Sequence, residues 1–418
     1  MVAQTPPMGW NSWDCYGASV REDIVRANAE YMAKNLKEYG WEYIVVDIQW
    51  SEPTAQNHEY HPFTELEMDE YSRLIPAVNR FPSAADGKGF APLGEYIHSL
   101  GLKFGIHIMR GIPRQAVQRN TKILGTDKTA RQIADTNSTC RWNTDMYGIN
   151  SEAEGAAEYY NSIFRLYAEW GVDYVKVDDI ANHYPHGEIE LIRNAIDNCG
   201  REMVLSLSPG PAPLEEAEHL KQHANLWRIT DDFWDNWEQL YDMFFRAEKW
   251  CTHAGPGHWP DADMLPVGAI LQDYDKSNRT KFTEDEQITM LTLWCIMRSP
   301  LMIGGELTMN DDFTEKLLTN SAVLEMLTQS RSAHQLFRRT ENGCERIVWK
   351  AHRRDGGYYI ALFNTSEEKT KITVSLAEAE IDTPVVSIRE LWSGEQKDNV
   401  SEISAEVAPH GAKVFFAD

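Results

Sequence analysis

The strongest constraint on how this chain folds is a unit that returns three times before residue 180: an amphipathic stretch, a glycine, and a short apolar run. Tyr39-Gly40-Trp41 leads into Ile44-Val45-Val46. Leu100-Gly101-Leu102 leads into Gly105-Ile106-His107-Ile108, and Trp170-Gly171-Val172 into Tyr174-Val175-Lys176-Val177. A glycine can take the left-handed conformation that ends a helix, and the apolar run after it suits a buried strand. Before Gly40, the residues Val25, Ala29, Met32 and Leu36 recur at helical spacing and form one apolar stripe. Further strands are expected at Met8–Ser12, Val204–Ser208, Leu226–Thr230, an irregular His258–Met264, and Pro300–Gly304. Eight strands alternating with helices over roughly 310 residues predict a (β/α)8 barrel rather than an open doubly wound sheet. No GxGxxG turn follows the first strand, which removes the usual sign of dinucleotide binding.

The pattern changes near residue 330. Ile347–Arg353, Tyr358–Asn364, Lys371–Leu376, Val385–Leu391, Val400–Val407 and Ala412–Ala417 are short β-rich runs separated by turns such as Asp355-Gly356-Gly357. We therefore expect a catalytic barrel over residues 1–328 and a small antiparallel β-sandwich over 329–418. No low-complexity linker lies between them, so the two should pack rigidly. The polar stretch Gly111–Cys140 follows the third strand and, on a barrel, falls on the active-site face.

Composition narrows the function. A net charge of −24 argues against phosphate-backbone binding and against an anionic membrane surface, whereas a neutral substrate is compatible with it. Fourteen tryptophans suit a site that stacks on the apolar faces of sugars, although most of them should be core residues. Six cysteines without CxxC spacing do not form a zinc or disulfide framework. The chain opens Met1-Val2-Ala3-Gln4 with no basic-then-apolar leader, and a cytoplasmic location is expected.

In such a barrel the chemistry lies at the carboxyl ends of the strands. In order these positions are Trp10 and Trp13, Asp47 and Trp50, His107 and Arg110, Lys176 with Asp178 and Asp179, Ser208, Arg228 with Asp231 and Asp232, and Asp261 with Asp263. Carboxylates and tryptophans dominate. A metal cluster, a GxSxG elbow and a phosphate loop are all missing from these positions, so neither cofactor nor metal is expected there. Two carboxylates from different strands, with aromatic neighbours, are what cleavage of a glycosidic bond requires. Asp178 lies two residues after Lys176 on one strand face, and the cation should keep it ionised as a nucleophile. The plainer readings are a bracing Lys–Asp ion pair for Asp178 and a helix N-cap for Asp231 or Asp232.

Several motifs then make a resemblance. Thr5-Pro6-Pro7-Met8-Gly9-Trp10-Asn11-Ser12-Trp13, the Trp170–Asp178 run, Trp227-Arg228 with Asp232, Trp259-Pro260-Asp261-Ala262-Asp263-Met264-Leu265, and Ser299-Pro300-Leu301-Met302 stand in the order found in glycoside hydrolase family 27. This family of retaining enzymes includes α-galactosidases, α-N-acetylgalactosaminidases and β-L-arabinopyranosidases. The resemblance implies Asp178 as nucleophile and Asp232 as acid/base. It also implies a sugar site built from Trp13, Asp47, Ile48, His107, Cys140, Lys176, Ser208 and Arg228. Arg228 would hold the 2-hydroxyl, Lys176 the 3- and 4-hydroxyls, and Trp13 the apolar sugar face. The substrate would be a glycoside with a terminal galacto-configured sugar, with no nucleic-acid or membrane partner and a homo-oligomer possible. A catalytically silent carbohydrate-binding barrel is the alternative of another class.

Departures from the family pattern bear on specificity. Family α-galactosidases carry two consecutive aspartates where this chain has Asp47-Ile48. An apolar side chain there suits β-L-arabinopyranose, which is α-D-galactopyranose without its CH2OH group, unless Ile48 points away toward the helices. Ser208 stands about where a glutamate is usual, a smaller residue of the kind that makes room for an acetamide. His107 replaces a tyrosine. Cys140 matches a family cysteine whose disulfide partner would fall at Ile180, an absence that a reducing compartment would explain.

Overall fold

Eight parallel strands form the first sheet: β1 (Met8–Asn11), β2 (Tyr43–Val46), β3 (Lys103–Met109), β4 (Tyr174–Asp178), β5 (Val204–Leu207), β6 (Leu226–Arg228), β7 (Trp259–Asp261) and β8 (Leu301–Ile303). The computed structural model describes residues 2–341 and 343–418, so Met1, where the expected barrel domain begins, and Asn342 lie outside the described residues. Neighbours run in chain order from β1 to β7, and β8 pairs back onto β1. The ring closes just beyond β7, where Leu265 bridges Ile303: Leu265 N donates to Met302 O at 2.7 Å and Gly304 N to Leu265 O at 2.9 Å. This explains why the seventh strand reads as irregular in sequence. Its ladder breaks at Ala262–Met264 before pairing resumes.

Period-2 alternation sorts the side chains. Ile44, Val46, Phe104, Ile106, Val175, Val177, Leu205 and Leu207 join the large core shared with the surrounding helices. Tyr43, Val45, Tyr174, Val204, Leu226 and Trp259 form a separate apolar cluster inside the barrel floor. Further along the same inward rows come Asp47, His107, Lys176, Asp178, Ser206 and Arg228. The barrel is thus apolar at one end and ionic at the other. Gly9 and Gly105 are required by closeness of neighbouring strands: a Cβ would come within 2.5 Å of Tyr43 O in the first case and 2.9 Å of Val45 Cγ2 in the second.

Two excursions rise above the ionic end. The segment 47–81 after β2 has little regular structure, and Arg80 ties it down. Its buried guanidinium donates to Gln49 O (2.7 Å), Glu52 O (2.9 Å), Val20 O (2.7 Å) and Ala18 O. The polar stretch after β3 extends past Cys140 and carries its own antiparallel sheet of Ile112–Pro113, Met146–Ile149 and Ala134–Thr139.

The C-terminal part is a six-stranded antiparallel sheet facing a two-stranded one, Thr370–Ser375 with Glu402–Val407. Two strands beyond those expected complete it: the long Ser330–Glu341 and Gln396–Val400. Val348, Ile360 and Leu362 bury one face against the small sheet. Ile347, Trp349, Ala361 and Phe363 belong to the barrel's core. The helix Glu284–Met297 lies at this junction, which explains why almost its whole length is buried. Phe244 meets Phe363 edge-on at 5.0 Å, Thr289 Oγ1 donates to His410 O at 2.6 Å, and Trp392 Nε1 donates to Thr292 Oγ1 at 3.0 Å. Among the described residues no helix is long and apolar enough to cross a membrane.

With one core running through both parts, calorimetry should show a single unfolding transition. Thr292→Val, which strands the Trp392 indole N–H, should lower stability by about 1 kcal/mol without splitting it. Two resolved endotherms would contradict the shared core.

Candidate active site

Asp178 ends β4, and its carboxylate is met by donors from three directions. His107 Nε2 on β3 lies 3.1 Å from Oδ2, while Oδ1 accepts from Ser208 Oγ at 3.2 Å and from Asp179 N at 3.0 Å. Burial opposes ionisation, but the hydrogen bond and electrostatic pull of His107, followed by Lys176, outweigh it and hold this carboxyl below its ordinary range. Arg110 fixes the backbone just beyond: its Nε donates to Asp179 O at 2.6 Å, and it pairs with Asp179 Oδ2 at 3.0 Å and Glu188 Oε1 at 2.9 Å.

Lys176 makes its direct ion pair elsewhere. Its Nζ lies 3.0 Å from Asp47 Oδ2, which also accepts from Asn11 Nδ2 at 2.7 Å. The other oxygen of Asp47 accepts from Ile48 N at 2.8 Å. Against its own burial, Lys176 and then His107 hold Asp47 strongly ionised; Asp47 and then Asp178 in turn raise the Lys176 pKa against the cost of burying the ammonium. The plain Lys176–Asp178 ion pair is therefore not what the geometry shows. Lys176 is paired with Asp47 and acts on Asp178, its neighbour on the same strand, through the field rather than by contact.

Across the barrel mouth Arg228 bridges Asp232 Oδ1 at 3.2 Å and Asp263 Oδ2 at 2.6 Å. Burial pushes Asp263 up to about 6 despite Arg228, with the charge of Asp232 acting in the same direction. Phe233 N donates to Asp263 at 2.8 Å, and the next helix starts at Trp237 under an Asn236 cap. Neither Asp231 nor Asp232 is an N-cap, so that reading of these carboxylates falls away. Asp232 is half-exposed at the rim.

These groups converge on a cavity of about 250 Å³ lined by Trp13, Asp47, Tyr60, Trp142, Lys176, Asp178, Pro209, Asp231 and Asp232. A hollow of about 670 Å³ between barrel and sandwich is larger, but it holds none of the strand-end groups. The smaller cavity is below the roughly 300–1,000 Å³ of drug-sized sites and suits a single sugar ring.

Tyr60, Trp142 and Pro209 were not among the sequence candidates. Tyr60 comes from the loop after β2 and stacks on Trp13 with centroids 6.0 Å apart and planes at 14°. Trp142 comes from the excursion after β3 and packs on Tyr60 at 5.6 Å. Trp142 is 39% exposed, and a tryptophan left out of the core is the sort of signal that could have flagged it.

Ile48 is 3% exposed and clusters with Met109, Cys140 and Met146, against Trp13 and Tyr60. It therefore packs behind the Trp13–Tyr60 wall, where it lines a small adjoining hollow with His107, Met109 and Met146, and it does not itself line the cavity. Cys140 is a free thiol pushed up to about 12 by burial and then by Asp179; Ile180 is fully buried beside that loop. Ser208 is 1% exposed, with its hydroxyl turned onto Asp178.

The family profile described as alpha galactosidase A matches residues 5–152 and 115–329, and that of the alpha galactosidase C-terminal beta sandwich domain matches 344–417. The chain belongs to glycoside hydrolase family 27. It is accordingly a glycosidase of that family. The β-L-arabinopyranosidase of Geobacillus stearothermophilus superposes with a TM-score of 0.96 at 56% identity, covering 100% of this chain and 97% of that one. A variant of that enzyme has been solved with arabinose. A Bacillus halodurans structure, provisionally assigned as an α-N-acetylgalactosaminidase, follows at a TM-score of 0.88 and 52% identity, covering 100% and 98%. The α-galactosidase of Cyamopsis tetragonoloba is 27% identical over 99% of this chain and 86% of its own.

If His107 keeps Asp178 ionised, His107→Leu should move the acid limb of kcat/KM upward. The sign follows from the lost donor: the Asp178 pKa rises toward its ordinary value, so the reactive carboxylate is lost at higher pH. A charge-assisted hydrogen bond of about 1.5–3 kcal/mol corresponds to a shift of about one to two pH units. An unmoved acid limb would show that His107 only fills space.

Proposed function

We propose that this enzyme is a retaining exo-glycosidase that releases terminal galacto-configured sugars and prefers β-L-arabinopyranosides over α-D-galactosides. Asp178 acts as the nucleophile and Asp232 as the acid/base. In the first step an Asp178 oxygen attacks the anomeric carbon while protonated Asp232 donates to the departing glycosidic oxygen. In the second, ionised Asp232 takes a proton from water as that water displaces Asp178 from the anomeric carbon. His107, Ser208 and Asp179 N steady the carboxylate that is esterified and then released. Arg228, held by Asp263, contacts Asp232 and can serve a sugar hydroxyl near the reacting carbon. Lys176 and Asp47 supply a paired donor and acceptor for hydroxyls farther along the ring.

The observation that carries the preference is Ile48. Where family α-galactosidases offer a second carboxylate, this chain presents a buried apolar group backed by Met109 and Met146, against the Trp13–Tyr60 wall. A hydroxymethyl group brought there loses the second carboxylate as an acceptor, whereas an arabinopyranose has no such group to bring. The Geobacillus arabinopyranosidase, 56% identical over the whole chain, supports the same reading. The free thiols of Cys15, Cys140, Cys199, Cys251, Cys295 and Cys344 fit a reducing, cytoplasmic setting.

Nitrophenyl β-L-arabinopyranoside should be hydrolysed faster than nitrophenyl α-D-galactoside, and Ile48→Asp should close that gap by about 10–100-fold in kcat/KM. A native preference for the galactoside, unchanged by the substitution, would overturn the specificity. Asp178→Ala should abolish turnover with fold intact. Asp232→Ala should cost about 10²–10⁴-fold, least with a good leaving group. Retention also requires that a 2-fluoro glycoside leave a sugar on a peptide containing Asp178, detectable by mass spectrometry; an unlabelled peptide would exclude the covalent route.

A further inference from the structure

Among the described residues, Glu190, His219 and His223 bring three possible ligand atoms within 4.8 Å of one another. They stand on two neighbouring helices, His186–Asn198 and Ala217–His223, which follow β4 and β5 on the outside of the barrel. None of the three lines the proposed sugar cavity. We propose that His219, His223 and Glu190 form a binding site for a divalent transition-metal ion, zinc being the best match.

Three independent features carry the proposal. The first is spacing. His219 and His223 are one helical turn apart, so both imidazoles project from one helix face, and their rings stack with centroids 4.0 Å apart. Glu190 reaches across from the other helix, its Oε1 3.3 Å from His219 Nε2. On that same helix His186 lies one turn before Glu190 with its ring 4.9 Å from His219; its Nε2 is paired with Glu216 Oε2 at 2.9 Å and would have to leave that partner to serve as a fourth ligand.

The second feature is the orientation of the rings. A ligating histidine usually engages its other nitrogen in a hydrogen bond that fixes the tautomer. Both do so here. His223 Nδ1 donates to the His219 carbonyl at 2.9 Å, and His219 Nδ1 lies 2.8 Å from the Tyr184 hydroxyl. For His223 this leaves Nε2 outward; His219 takes the same tautomer when its Nδ1–H donates to the Tyr184 oxygen, which frees the Nε2 that now faces Glu190 Oε1 at 3.3 Å. The third is the ligand chemistry. Two imidazoles and a carboxylate suit zinc, and copper or nickel less selectively, with water or His186 completing a tetrahedron. Zn–N bonds of about 2.0–2.1 Å need the ligand atoms about 3.3 Å apart, so the shell must contract by little more than rotamer adjustment.

Such an ion would tie the helix after β4 to the helix after β5. The segment leading into the first of these helices contains Asp179 and Tyr184, so the site is placed to hold the loop behind Asp178.

The full-length enzyme, stripped with a chelator and dialysed, should take up one equivalent of Zn²⁺ by isothermal titration, with a rise in Tm. Co²⁺ should give the visible d–d absorption of tetrahedral coordination. His223→Ala and, separately, Glu190→Gln should abolish the Co²⁺ spectrum and the Tm rise, with circular dichroism and glycosidase activity unchanged in the absence of metal. Tyr184→Phe should weaken binding by about tenfold through loss of ring orientation. Absence of stoichiometric uptake, or uptake indifferent to both His223→Ala and Glu190→Gln, would overturn the proposal.

Discussion

The active end of this barrel depends on how protons are shared among too many carboxylates. Asp14, Asp47, Asp178, Asp261 and Asp263 all lie at or under the mouth, with Lys176 and Arg228 as the cations among them. Burial alone would neutralise every one of the five. The outcome is instead a division. Asp47 and Asp178 are driven below the ordinary range, and Asp14, Asp261 and Asp263 are driven above it. The ionised pair lines the sugar cavity, and the other three stand behind it. Asp178 is therefore suited to the nucleophilic role proposed for it not because it is a carboxylate but because His107 reaches it. Among the described residues Asp14 Oδ2 is buried without a hydrogen-bond partner and pressed close to Gly304, where a Cβ would fall within 1.9 Å.

The barrel achieves this sorting with backbone geometry alone. Inward residues alternate with outward ones, so the same strands that bury Tyr43, Tyr174, Val204 and Leu226 at the floor deliver Asp47, Lys176, Asp178 and Arg228 at the mouth. Hydrogen-bonded register then sets which of these meet. His107 pairs with Lys176 in the β3–β4 ladder, and Met109 pairs with Asp178. The imidazole thus starts one pleat below the carboxylate and reaches up to it. Shifting the register by one residue would turn these groups into the helix layer and end the site.

That regularity is why so much was legible in the sequence. Gly40, Gly101 and Gly171 do end their helical segments with positive φ, and all eight strands lie where the apolar runs place them. The strand-end candidates converge for the same reason. What escaped depends on contacts distant in the chain. Tyr60 lies in a segment with almost no periodicity, whose path is set by Arg80 binding carbonyls on both the β1 and β2 loops. No local pattern reports such a tie. The strand Ser330–Glu341 was missed because its arginines and its glutamine read as surface, although it pairs from end to end, apart from two bulges, with Cys344–Arg353. Glu190 and the pair His219/His223 were not singled out in the sequence, because only the packing of two helices makes them a group.

The proposed role of Ile48 also has a built-in limit, set by physical chemistry. A wall built to hydrogen-bond a hydroxyl rejects the analogue lacking it by about 10⁴–10⁵, because its own polar groups are left unpaired. An apolar wall has nothing to leave unpaired. It opposes the larger sugar only through one stranded hydroxyl, about 1–3 kcal/mol, and whatever crowding the extra carbon causes. Met109 and Met146 beside Ile48 are flexible and can yield to a methylene, which reduces the crowding term further. An enzyme with this wall should therefore prefer the pentose by about one to two orders of magnitude and still turn over the hexose slowly. Strict exclusion of galactosides would require a rigid element that the Ile48 cluster does not provide.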